Sequence, residues 1–90
     1  MPTSTTTATV VNRLGLHARP AMSFVDMAAT FTSDVRVKKD DAEVNGKSIM
    51  EVMMLAASQG SVLEIVCEGP DAEKAAAALK ALVDSGFDEE

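Results

Sequence analysis

Three residue types within five positions carry most of the chemistry this chain can offer. They are Gly15, His17 and Arg19, in the run Gly15-Leu16-His17-Ala18-Arg19-Pro20-Ala21, and His17 is the only histidine in the sequence. A neutral imidazole nitrogen has a lone pair that can attack phosphorus. A helix beginning at this point would aim its first backbone amides, the positive pole of its dipole, at the phosphoryl group that results. Arg19 adds a charged fork for phosphate oxygens, and Gly15 keeps the approach uncrowded. Taken alone, a single histidine at a helix start is more often a cap or a surface residue, with Arg19 a solvated neighbour.

The surrounding periodicity must place these groups. Ala21, Phe24, Val25, Ala28 and Phe31 recur at helical spacing. Pro20 fits only in a first turn, so the helix starts near residue 17 or 18, with His17 at or beside its N-cap. Upstream, Thr7 to Asn12 reads as a strand, and residues 1–6 as a frayed tail. Downstream, Asp34–Lys39 alternates with Val35 and Val37 inward, Asp40-Asp41 marks a turn, and Ala42–Asn45 returns antiparallel. Ser48 and Glu51 match a capping box opening a short helix that ends before Gly60. Ser61–Glu68 is a second alternating strand, with Leu63, Ile65 and Cys67 on one face. Asp71 opens a helix striped by Ala72, Ala75, Ala76, Leu79, Leu82 and Val83. Gly86 stands just past that helix and Phe87 folds back on it. Residues 88–90 are an acidic tail. The order βαββαβα predicts one domain over residues 1–90. The fold class is α+β, an open-faced β-sandwich whose four-stranded, mainly antiparallel sheet carries three helices on one face.

Composition narrows the function. The chain has 90 residues and a net charge of −6, which argues against a nucleic-acid partner and an anionic membrane surface. A single cysteine forms no internal disulfide and lacks the neighbours of a zinc site, so no metal or other cofactor is expected. No secretory signal or membrane span is legible, and the expected location is the cytoplasm. No acid–histidine–nucleophile set can be singled out, which argues against a hydrolase.

The run from Gly15 to Ala21 resembles the active-site motif of the histidine-containing phosphocarrier family, HPr, of the bacterial phosphotransferase system. Gly46-Lys47-Ser48-Ile49-Met50-Glu51-Val52-Met53-Met54-Leu55 is similar to that family's second motif, at the right separation. The resemblance covers nearly the whole chain from about Thr7. It implies a carrier that is itself no enzyme. Enzyme I, charged by phosphoenolpyruvate, would phosphorylate His17 on Nδ1, and an EIIA domain would accept the group. Arg19 would stabilise the phosphate. Ser48 would be the serine that an HPr kinase/phosphorylase modifies in some lineages. A regulatory protein acting mainly through Ser48 phosphorylation and partner binding is the alternative. Asn12-Arg13-Leu14-Gly15 and the end from Ser85 to Glu90 resemble the nitrogen-related branch. Lys47-Ser48-Ile49 resembles the kinase-regulated forms, so the branch stays open.

Two departures from the family pattern stand out. Leu14 occupies a position where several members carry a small polar residue that orients the histidine, which leaves that task to backbone groups. Glu51 replaces a common glycine, and its charge would oppose a phosphoryl group on Ser48.

A carrier meets its partners briefly and needs a small apolar patch beside the histidine. The helix after Ser48 has apolar residues to spare. Ile49, Met50 and Met53 are the expected contacts, with Arg13, Arg19 and Lys47 as basic steering groups. A monomer is expected.

Overall fold

The threonine-rich start of the chain is a strand. In the computed structural model, which describes residues 1–88, β1 spans Thr3–Thr9. This corrects the expectation of a frayed tail over residues 1–6. The reason is long-range: all seven residues pair antiparallel with β4 (Val62–Glu68), from Thr3 opposite Glu68 to Thr9 opposite Val62. β-Branched residues suit that ladder, but nothing local announces its partner, 53 to 65 positions away. After Thr9 the chain leaves the strand, so the segment to Asn12 belongs to the loop that follows.

The remaining elements follow the sequence pattern. They are α1 (Ala18–Ala29), β2 (Asp34–Lys39), β3 (Ala42–Asn45), α2 (Ile49–Met54) and α3 (Ala72–Asp84), then a short 3-10 turn over Gly86–Asp88. The sheet order is β1-β4-β2-β3, and every pairing is antiparallel. Ala8, Val35, Val37, Leu63, Ile65 and Cys67 point to the covered face, against Phe24 and Ala28 of α1, Val52 of α2 and Leu79 and Val83 of α3. The other face is open and carries interlaced charge. Lys38 Nζ lies 3.6 Å from Glu43 and 3.7 Å from Glu64 across three strands.

Strand β1 is an edge, and α3 covers part of it. Lys80 Nζ donates to the Thr7 carbonyl at 2.8 Å, and the Thr9 N–H donates to Asp84 Oδ1 at 3.1 Å. Lys80 and Asp84 also pair with each other at 2.9 Å. Edge groups that could recruit a foreign strand are thereby occupied.

Asp71 does more than complement a helix dipole. Its carboxylate accepts from the N–H groups of Thr32 and Ser33, each at 2.9 Å, and from both hydroxyls. In return, the Asp71 N–H donates to Ser33 Oγ at 3.2 Å. This knot fixes the α1–β2 connection to the start of α3. The Ser33 hydroxyl, followed by the Thr32 backbone, holds the Asp71 carboxyl well below the usual carboxylate range. Gly69 makes the approach possible: its φ is +149°, and a Cβ there would lie 2.7 Å from Ser33 Cα.

Candidate phosphoryl site

The ground under His17 is built by two loops. From the first, Val10 N–H donates to the Ser61 carbonyl at 2.8 Å, and from the second, Gly60 N–H donates to the Val10 carbonyl at 2.7 Å. Gln59 Nε2 adds a bond to the Val11 carbonyl at 3.0 Å, and Leu16 N–H donates to Ala57 O at 2.8 Å. Residues 10–16 are therefore clamped against residues 57–61, which join α2 to β4.

Within this clamp Asn12-Arg13-Leu14-Gly15 folds as a tight turn. Gly15 N–H donates to the Asn12 carbonyl at 3.2 Å, and Asn12 Nδ2 donates to the Gly15 carbonyl at 2.8 Å. Gly15 has φ +67°, a region glycine enters without strain. Any Cβ there would collide with the Ala57 carbonyl oxygen and lie 2.9 Å from Ser58 Cα. The glycine is required for close approach between the two loops as well as for turn geometry.

Asn12 is only 2 % exposed and was not singled out from sequence as a site residue. Leu14 is indeed turned to solvent, 67 % exposed. The orienting task does not fall to backbone alone, however: the Asn12 side chain, two positions earlier, braces the turn that delivers His17. The available signal was an asparagine three residues before a glycine, a pattern that favours side-chain-to-backbone turns.

His17 is the N-cap of α1, in extended backbone geometry (φ −74°, ψ −175°), and its side chain makes no capping hydrogen bond. The first helical bond runs from Ala21 N–H to the His17 carbonyl at 3.0 Å. Pro20 has no N–H, so the amides of Ala18 and Arg19 are the end donors this helix presents. His17 is half-buried, Arg19 is exposed and Pro20 is buried beneath them. An imidazole, two end amides and an exposed guanidinium thus share one helix terminus. That arrangement can accept a phosphoryl group on the ring and neutralise its oxygens.

The second motif is spread along α2. Ser48 is its N-cap, and Ser48 Oγ accepts from Glu51 N–H at 3.3 Å. The reciprocal half of the capping box is shifted. Glu51 Oε1 accepts from Asn45 N–H at 3.0 Å, while Ser48 N–H turns to the Asn45 carbonyl at 3.1 Å. Lys47 Nζ donates to the Phe31 carbonyl just beyond α1, at 2.8 Å. The two ends of the α2 segment are therefore tied to the two ends of α1: Lys47 beyond its C-terminus, and Ala57 at Leu16 before its N-terminus. Lys47 and Ser48 consequently lie at the end of α2 away from the His17 loop.

Of the expected contact residues, Met50 is 75 % exposed and Met53 43 %, whereas Ile49 packs against the core. Met54 on α2 and Met22 on α1 are also exposed, although the sequence reading did not name them as contacts. Among the described residues no cluster of His, Cys, Asp or Glu could hold a metal ion, and no helix is long and apolar enough to cross a membrane.

Comparison with known proteins agrees with this geometry. The family described as PTS HPr component phosphorylation site matches residues 4–85. Phosphocarrier protein HPr of Neisseria meningitidis serogroup B is 48% identical over 80 residues, covering 89% of this chain and 90% of that protein. Phosphocarrier protein NPr of Escherichia coli K12 is 38% identical over 85 residues, covering 93% and 94%. Among solved structures, HPr-C-His from Thermoanaerobacter tengcongensis superposes with a TM-score of 0.92 at 47% identity, over 97% of this chain and 98% of that one. This chain belongs to the HPr family of phosphocarrier proteins of the phosphotransferase system, a family of carriers and not of catalysts.

Proposed function

We propose that His17 takes a phosphoryl group from phosphorylated enzyme I and passes it to an EIIA domain. A ring nitrogen of His17, Nδ1 by family resemblance, attacks phosphorus. A P–N bond forms as the bond to the donor breaks, and the donor leaves with the electron pair. The Ala18 and Arg19 amides and the Arg19 guanidinium receive the oxygens' charge. Contacts of this kind hold the group firmly enough to carry and loosely enough to release.

The observation that carries this reading is the placement of His17 as the N-cap of α1, beside the first amides of that helix and Arg19. The regulatory alternative through Ser48 has less support. Ser48 Oγ already accepts the Glu51 N–H, and a phosphoryl group there would meet the Glu51 carboxylate one turn on.

The test is incubation with enzyme I and phosphoenolpyruvate, followed by intact mass. The expected result is one acid-labile phosphoryl group, absent in His17→Ala. Addition of a sugar-specific EIIA and, separately, a nitrogen-regulatory EIIA then assigns the branch by which one discharges the carrier. No phosphoryl gain from a competent enzyme I would refute the reading.

A further inference from the structure

The large apolar side chains exposed on α1 and α2 are all methionines, the one apolar type that mild oxidants convert to a polar one. The chain has six methionines. Met50, Met53 and Met54 are exposed on α2, at 75, 43 and 77 %. Met22, 56 % exposed, lies on α1. The flank of α1 that meets α3 carries Ser23, Asp26, Met27 and Thr30. Helical spacing puts Met22 on the outward side of α1, one turn from Ala18 and Val25. Four exposed methionines therefore flank the helix that His17 caps. The other two sit elsewhere. Met27 packs against the core, and Met1 precedes β1 at the end farthest from the His17 loop.

We propose that Met22, Met50, Met53 and Met54 form a reversible oxidation site that turns partner docking off in the presence of a hydroperoxide. It rests on the carrier reading above. In each event the peroxide O–O bond breaks and one oxygen bonds to Sδ. The sulfur is oxidised by two electrons, and the peroxide is reduced to water or an alcohol. The product is a strongly polar sulfoxide on a surface whose use depends on being apolar. A partner that buried it would strip that oxygen of water. Methionine sulfoxide reductases restore the thioether.

The rest of the molecule leaves this chemistry to the methionines. Cys67, the only other sulfur, is fully buried, and burial pushes its thiol pKa up, which keeps it in the unreactive protonated form. The fold beneath is insulated, because the core residue that α2 contributes is Val52 rather than a methionine.

The experiment treats the intact protein with limiting hydrogen peroxide, maps sulfoxides by peptide mass, and measures phosphoryl transfer from enzyme I charged with phosphoenolpyruvate. Of the four, Met50 and Met54 are expected to form sulfoxide first, with the circular dichroism spectrum unchanged. The donor concentration needed for half-maximal rate is expected to rise roughly tenfold. Treatment with sulfoxide reductases is expected to reverse the rise. The variant combining Met22→Leu, Met50→Leu, Met53→Leu and Met54→Leu, compared only with its own untreated rate, is expected to lose the peroxide response while Met1 is still oxidised. Undiminished transfer by protein oxidised at Met50 and Met54 would overturn the proposal. So would a peroxide response that survives in the leucine variant. Failure of the untreated protein to accept phosphate is a separate result, which removes the carrier reading and this inference with it.

Discussion

Asn12 and Gly15 decide whether His17 arrives where the first amides of α1 can serve it. Asn12→Ala removes the bond from Nδ2 to the Gly15 carbonyl and strands that carbonyl in a buried turn. A loss of about 1–3 kcal/mol is expected, read from urea unfolding, with slower phosphorylation of the folded fraction. Gly15→Ala adds both a left-handed alanine and a clash with the Ala57 carbonyl. It should cost about 2–5 kcal/mol by the same measurement, more than Asn12→Ala. These two positions also show where sequence reading reached its limit. Gly15, His17 and Arg19 announce themselves by type and spacing. Asn12 offers only its spacing to Gly15, because its burial depends on a segment clamped against a loop more than forty residues later, which no local pattern encodes.

At the scale of elements, the helices and the alternating strands were legible because each buries one face. Phe24 and Ala28, or Val35 and Val37, repeat at the period of their element. What escaped was pairing at a distance: the ladder that makes Thr3–Thr9 a strand, and the Asp71 knot that joins Thr32 and Ser33 to α3. The knot predicts a pH signature. Because the folded state lowers the Asp71 carboxyl below its unfolded value, its contribution is present above the usual carboxylate range, near pH 4. It is lost as the pH falls toward the folded value. Asp84, held by Lys80 and the Thr9 N–H, shifts the same way. Thermal melts should therefore show Asp71→Asn less stable than the parent at pH 7, with the gap closing on acidification. A gap independent of pH would show that Asp71 acts only through neutral hydrogen bonds. The end of α2 offers a gain. Ala56 follows its last turn with φ +50°, where glycine is the usual choice. Relief of the left-handed alanine exceeds the extra chain entropy of glycine, so Ala56→Gly should stabilise by roughly 0.5 kcal/mol in urea titration.

Across the whole molecule, one sheet face and three helices bury the core, while loops at one end hold the chemistry. The clamp between residues 10–16 and 57–61 and the two ties from α2 to α1 let a 90-residue chain fix a single imidazole at a helix terminus. Its neighbours are an arginine and exposed methionines, surroundings suited to a group that must be received from one protein and surrendered to another. The central claim is that the phosphoryl group resides on the His17 ring. Nuclear magnetic resonance of the 15N-histidine-labelled protein, before and after charging by enzyme I and phosphoenolpyruvate, reads this directly. The expected spectrum shows phosphorus coupling to one His17 ring nitrogen, Nδ1, lost on brief acid treatment. An unshifted His17 ring in protein that has gained phosphate, with acid-stable phosphate on Ser48, would contradict it.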